Sequence, residues 1–235
     1  MLGVYLAVPI ACFRKGLARE YLETEPLPPP ATAYGFLLSL VGEERRARHL
    51  GCRVCPVLLS EPGRSVVLRT VWRVKKQPLG SGGNTRPDYQ QLLTHVELAF
   101  WLDSAEEEGG EPSLERRVER ALADPASVTR YGGLCLGEST HLVDEVRRFP
   151  MPGRRPPDEG RRGRDFVLET GGRLALPVWV DHVGSAGTRH VTGNLVECEA
   201  HSPPPRRTDA QDRTLEIPMT HLPLPEAVPL SRSWR

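Results

Sequence analysis

Residues 65–102 read SVVLRTVWRVKKQPLGSGGNTRPDYQQLLTHVELAFWL, and the organisation of the chain turns on how this stretch folds. Its two ends have strand character. Along Ser65–Lys75, Val66, Leu68, Trp72 and Val74 share one face, while Val67, Arg69, Val71, Arg73 and Lys75 share the other. Along Leu92–Leu102, Leu92, Val96, Leu98, Phe100 and Leu102 line one side. Hairpins commonly turn in two to five residues, and the connection here is roughly three times as long. It begins with Lys75-Lys76, passes Gly80-Ser81-Gly82-Gly83 and closes with Asn84-Thr85-Arg86-Pro87. Glycines without a β-carbon let backbone N–H groups approach an anion. The spacing matches neither a phosphate-binding P-loop nor a dinucleotide fingerprint. A flexible turn is one reading. Lys75, Lys76 and Arg86 with Tyr89 beside them suit a grip on single-stranded RNA.

Charge distribution supports the second reading. The net charge is only +1. Yet Arg64–Arg86 holds Arg64, Arg69, Arg73, Lys75, Lys76 and Arg86 and no acid. A solvated face usually mixes signs, so this segment reads as facing an anion. Asp103–Glu119 is the acidic counterpart and is a candidate protein-contact surface, the alternative being a solvated helix face. Arg147–Arg164 carries seven arginines among prolines and glycines.

Outward from the hairpin, the elements follow in order. Leu2–Cys12 alternates, with Leu2, Val4, Leu6, Val8 and Ile10 on one face, which predicts a first strand. After the proline-rich EPLPPP, Tyr34, Leu37, Leu38 and Val41 have helical spacing. Thr32 is placed to cap that helix and Gly51 to end it, with Arg45, Arg46 and Arg48 in its last turns. Arg53–Leu59 is a strand, joined to the next through the turn signal Glu61-Pro62-Gly63-Arg64. Ser113 opens a second helix with Leu114, Val118, Ala121 and Leu122 on one stripe, and a short strand is expected around Leu134. The order β-α-β-β-(β)-α-β predicts an α+β fold, a ferredoxin-like split βαβ domain of the RNA-recognition-motif type with a long hairpin. The expected division is 1–145 for that domain with its hairpin tip at about 74–92, 146–164 as an Arg/Pro/Gly-rich linker or insertion, and 165–235 as a smaller β-rich C-terminal portion. Within the last, 173–184 and 189–199 suggest an antiparallel pair.

Composition bounds the rest. At 235 residues a sizeable core is affordable, and 23 prolines with 22 glycines predict short elements and many loops. Five cysteines include one C-x-x-C, Cys52 and Cys55, with no second pair or matching histidines for zinc. They read as buried thiols in a reducing compartment. The apolar first residues lack a basic leader and cleavage site, and no run is long enough to span a bilayer, so a cytoplasmic protein without membrane contact is expected. No catalytic motif is present among the seven histidines. No metal or other cofactor is expected.

Several stretches carry a family resemblance. GVYLAVPIACFRKG (3–16), PPPATAYGFLLSLVGE (28–43), NTRPDYQQLLTHVELAFWL (84–102) and RYGGLCLGES (130–139) resemble CRISPR-associated protein family five, in its DevS-like myxobacterial type I form. The likeness covers about the first 145 residues. It implies a member of the repeat-associated RNA-binding (RAMP) superfamily that caps the 5′ handle of crRNA in type I Cascade, for RNA-guided DNA targeting in antiviral defence. It implies that Lys75–Tyr89 forms a thumb holding the crRNA and meeting the adjacent backbone subunit. It also implies contact with the large subunit, and only indirect contact with target DNA. On this reading Arg14, Lys15, Arg69, Arg73, Lys75, Lys76 and Arg86 face RNA phosphates, and Asn84 and Tyr89 read or stack on bases. Trp72, on the apolar face, is expected in the core, the alternative being that it stacks on a base. One branch of the family cuts the repeat with a tyrosine and an adjacent lysine and histidine. The only lysines here are Lys15, Lys75 and Lys76, and none neighbours a histidine, so a non-catalytic subunit is expected. The alternative is a metal-independent repeat endoribonuclease using His95 or His141 with Tyr89 and Lys75.

Overall fold

A computed structural model describes residues 1–16, 18, 21–72, 78, 80–108, 111–150, 162–168, 170–181 and 186–199. The strands in chain order are β1 (Leu2–Ala11), β2 (Tyr21–Leu22), β3 (Arg53–Leu58), β4 (Gly63–Trp72), β5 (Thr85–Asp103), β6 (Glu145–Phe149), β7 (Arg162–Leu168), β8 (Leu174–Trp179) and β9 (Arg189–Glu199). Helix α1 (Pro30–Leu40) follows β2, and α2 (Leu114–Ala123) follows β5. Among the described residues the strands form one sheet in the order β6-β1-β5-β3-β7-β9-β8, with β2 and β4 also paired to β5. Every pairing is antiparallel except β2 on β5. The pairing of β8 with β9 matches the expected C-terminal antiparallel pair. The segment 146–164, read as linker, contributes β6 on β1 at one end and the start of β7 at the other; 151–161 lie outside the described residues.

Both helices pack on one face of the sheet. Leu2, Val4, Leu6 and Val8 from β1 meet Val96, Leu98, Phe100 and Leu102 from β5, covered by Phe36, Leu37 and Leu40 of α1 and Leu114, Val118 and Ala121 of α2. Phe36 and Phe100 meet edge to face at 5.9 Å. Burying such side chains contributes about 1.5–3 kcal/mol each, which fixes the register of the central strands. Ile10 departs from the expected pattern at 43% exposure. The cause lies opposite it. His95 has φ 57°, and the alternation of β5 slips there, so that Leu93 rather than Thr94 reaches the core. Ile10 pairs with Thr94 and Ala11 with Leu93, so β1 turns with its partner.

Helix α1 is shorter than the sequence suggests. Pro29 occupies its N-cap and Pro30 its first turn, displacing Thr32 from the capping position. It ends at Leu40, not at Gly51. Gly42 (φ 66°) donates its N–H to the Ser39 carbonyl at 3.1 Å and Glu43 donates to Leu38 at 2.9 Å, the paired bonds of a Schellman motif. Arg45, Arg46 and Arg48 therefore lie beyond the helix, where Arg46 stacks on Trp179 at 4.2 Å and donates to the Val180 carbonyl. Around Leu134 there is no strand, only an isolated bridge between Cys135 and Leu142.

Glu61-Pro62 does not reverse the chain. β3 pairs with Leu98–Asp103 and β4 with Thr85–Thr94, along the same edge of β5. β4 thus continues β3 in line. The Ser60 hydroxyl spans the interruption, donating to the His95 carbonyl at 2.9 Å and accepting from the Glu97 N–H at 3.0 Å. The result is a single long hairpin. Its first half is the core of the sheet, and its second half runs past the helices.

The acidic segment after β5 folds inward. Glu107 accepts from the Leu114 N–H at the start of α2 and contacts His49 Nδ1 at 2.5 Å. Arg117 Nη1 lies 2.8 Å from His49 Nε2, and a guanidinium only donates, so the imidazole proton sits on Nδ1. Arg117 also pairs with Glu43 and donates to the Val41 carbonyl. Glu106 pairs with Arg53, Glu115 with the N-terminus and Glu119 with Arg148. These acids join parts of the fold, while Glu106 and Glu119 stay exposed.

Burial alone would raise the Glu43 carboxyl, but the Arg117 hydrogen bond, the Arg45 N–H and the Arg117 and Arg48 charges bring it down to about 2. Its ordinary value is 4.5. A depressed carboxylate stabilises the fold above its unfolded pKa and loses that contribution as pH falls through the folded value. Urea unfolding should therefore show stability falling between pH 4.5 and pH 2, with roughly 3 kcal/mol owed to this residue. Glu43→Gln should unfold more readily at pH 7 and show a shallower decline over that window. An unchanged pH slope in the variant would contradict the assignment.

Candidate nucleic-acid interface

Facing residues of an antiparallel pair point to the same side, and successive residues alternate. Ten register pairs join β4 to β5, from Gly63 with Thr94 to Trp72 with Thr85. The outer half of this hairpin thus has two distinct faces.

One face is charged and tied down. Arg69 lies opposite Asp88 and pairs with it at 3.8 Å. Arg69 also reaches Glu138 at 3.7 Å, and Gln90 donates to Glu138 at 2.8 Å. Asp88 and Gln90 are buried. The turn that carries Glu138 is itself anchored. Leu136 donates to the His141 carbonyl, and His141 Nδ1 accepts from the Cys12 N–H at 3.2 Å. Burial holds the His141 ring below its ordinary pKa, which keeps that nitrogen an acceptor. The expectation of a basic face without acids is corrected here. The acids that neutralise Arg69 come from the facing strand and from a turn some 70 residues later, beyond the Arg64–Arg86 window.

The other face is apolar and uncovered. Leu68 and Trp72 are each 63% exposed, Val66 and Tyr89 each 49%. The expectation that Trp72 packs in the core is thereby overturned, because β4 lies beyond the reach of both helices. Tyr21 of β2 stands beside Tyr89, with ring centroids 6.5 Å apart. Sequence reading missed Tyr21, since a two-residue strand has no periodicity to detect.

The remaining candidates are placed as follows. Asn84 is 2% exposed and donates to the Pro78 carbonyl at 2.9 Å, so it shapes the hairpin end and is closed to a base. Arg14 is exposed, bridges to Thr24 and donates to the Ala18 carbonyl; Lys15 is paired to Glu23 at 3.6 Å. Arg86 is half-buried opposite Val71. Arg73, Lys75 and Lys76 lie outside the described residues. Tyr89 points to the apolar face, whereas its neighbours Asp88 and Gln90 point to the side of Glu138 and His141. Tyr89 and His141 of the alternative cleaving set therefore lie on opposite sides of β5. His95 is exposed at the bulge. Among the described residues no group of three or more histidine, cysteine or acidic side chains could hold a metal ion, and no helix is long and apolar enough to cross a membrane.

No family model matches the chain. It is 53% identical over 199 residues to the CRISPR-associated protein Cas5 of Myxococcus xanthus (strain DK1622), across 84% of this chain and 91% of that protein. The chain belongs to the Cas5 family. The resemblance drawn from its sequence motifs is borne out by this relative. A chain from a CRISPR RNA-guided surveillance complex shares the fold, with TM-score 0.55 and 16% identity over 83% of this chain and 89% of that one.

In this Cas5-family chain Glu138 links both strands of the hairpin at once to the turn after α2, through Arg69 of β4 and Gln90 of β5. Removing it should loosen the hairpin while leaving the core intact. In Glu138→Ala, amide exchange across residues 63–72 and 85–91 should accelerate about ten- to a hundredfold, as loss of charge-assisted contacts worth about 1.5–3 kcal/mol implies. Exchange in α1 and β1 should be unaffected. Equal exchange in the hairpin would show that Glu138 does not hold it.

Proposed function

We propose that this Cas5-family protein is a non-catalytic, RNA-binding subunit of a type I CRISPR surveillance complex. Its hairpin holds the 5′ handle of the crRNA and meets the adjacent backbone subunit, and the protein also contacts the large subunit. The observation that carries the reading is the outer half of the β4–β5 hairpin, which leaves the body with large side chains exposed at one register pair after another. Monomeric proteins seldom expose such a patch unless something binds it. The sequence between its strands adds Arg73, Lys75 and Lys76, positive charge that a phosphate backbone would neutralise. The sheet order supports a ferredoxin-like domain of the RAMP superfamily: β1 and β3 both run antiparallel to β5 and flank it, with α1 between them in sequence, and β6 adds to β1. The opposed directions of Tyr89 and His141 support a subunit that does not cut the repeat.

Replacing residues 66–91 by an Asn-Gly turn, which suits a two-residue hairpin, removes the outer hairpin and Tyr89 with it while leaving the core residues in place. Coexpressed with the other subunits and repeat RNA, the shortened protein should fold and should lose crRNA. Lys75→Ala, Lys76→Ala and Arg86→Ala should each flatten the salt dependence of RNA binding by about 0.7 in the log–log slope if the side chain meets a phosphate. Repeat RNA incubated with the full protein in EDTA should stay whole. RNA retained by the shortened protein, or a cut at a fixed position, would refute the reading.

A further inference from the structure

The two faces of the hairpin differ in what they can bind. On the face of Glu138, Asp88 is buried beside Arg69 and two carboxylates answer one guanidinium. With Arg86 on the same face the fixed charges there balance, and an arriving phosphate meets no net positive charge. On the opposite face the alternation of β4 and β5 brings up Arg64, Val66, Leu68, Thr70 and Trp72, facing Leu93, Gln91, Tyr89, Pro87 and Thr85, with Tyr21 alongside. No acid is among them. Arg64 is exposed and has no ion-pair partner among the described residues. Tyr21 and Tyr89 are 44% and 49% exposed, with ring planes tilted by 41°. Each tyrosine thus keeps nearly half its surface open to solvent.

We infer that the hairpin holds RNA through this aromatic face: Tyr21 and Tyr89 form a stacking platform for unpaired nucleobases, continued along the hairpin by Leu68 and Trp72. The proposal rests on the RNA-binding reading above and names the part of the RNA that is recognised. Aromatic rings stack on any base, since each base offers a π face, so the platform is tolerant of sequence. The absence of carboxylates, with Arg64 at the root, lets the attached phosphates run along its rim without repulsion. A protein partner is the other occupant such a face would accept. The acid-free, tyrosine-paired surface favours a nucleic acid, because stacked bases bring their own negative backbone with them.

The test uses the full-length protein, a short single-stranded RNA of handle sequence, and the same strand with abasic sites. Tyr21→Ala and Tyr89→Ala should each weaken binding about tenfold or more, while Tyr21→Phe and Tyr89→Phe should bind as the unaltered protein does. The salt slope should be the same in all four, because no phosphate contact is removed. The abasic strand should bind the unaltered protein as weakly as the intact strand binds Tyr21→Ala. Melting temperatures near that of the unaltered protein will show that these exposed substitutions leave the fold alone. If the unaltered protein binds RNA and the alanine variants bind it equally, the platform is refuted while the RNA-binding reading stands. The platform is likewise refuted if those variants keep RNA but fail to join the other subunits, which would make the face a protein contact. If the unaltered protein binds no RNA, alone or in the assembled complex, both proposals fall together.

Discussion

A single strand, β5, holds this structure together. Its 19 residues pair with β1 and β3 in the core and with β4 and β2 beyond it. An extended residue advances about 3.3 Å, so a strand of this length spans far more than one helix layer can cover. The half under α1 and α2 reads as an ordinary buried strand. The half past them has the turn of Glu138 against one face and no layer on the other. Because both halves are one covalent and hydrogen-bonded unit, the orientation of the outer hairpin is set by the packing of the core. The break in alternation at His95 is where the two regimes meet, and the Ser60 hydroxyl bridges the facing edge at the same level.

That arrangement explains which parts are legible in the sequence. Elements resting on the central core are recovered closely: the alternation of Leu2–Val8, the stripe of Leu114, Val118 and Ala121, and the Ser113 cap, whose side chain accepts from Arg116. Each is decided by burial within one element. Expectation and structure part where a second element decides. Ile10 follows the slip in β5. The end of α1 is set by Gly42, whose φ 66° permits the paired bonds that stop the helix well before Gly51. The in-line continuation of β3 into β4 is written as Glu-Pro-Gly-Arg, which in isolation signals a reversal. Period-two patterning shows that β4 has two faces and says nothing of whether either finds a core.

The candidate site shows the same division. Sequence alone locates the hairpin and its positive charge, and it singles out Tyr89. It misses the partners that neutralise Arg69, because Asp88 and Glu138 come close only after the strands pair and the later turn docks. It misses Tyr21 for a related reason, since a strand of two residues is defined only by the neighbour it pairs with. Asn84 looks available to a base in the sequence and is buried by the local turn it helps to build.

An outer hairpin of this kind carries a cost that bears on its role. Among the described residues β4 pairs on one side only, and its open edge presents unpaired backbone groups along ten residues with Val66, Val67, Leu68 and Trp72 exposed. Folded proteins usually blunt such an edge with inward charges, prolines or a covering loop. Apart from Arg64 at its root, the described charges of this hairpin lie on its far face, where the Arg69–Asp88–Glu138 cluster holds it to the body. The apolar face and the edge are left bare on a hairpin that its far face ties to the body. A bare, preorganised surface loses little freedom when it is covered, so the binding free energy is retained as affinity. The charged cluster and the aromatic face are therefore two halves of one arrangement: the first fixes the hairpin in place, and the second gives that fixed hairpin something to bind.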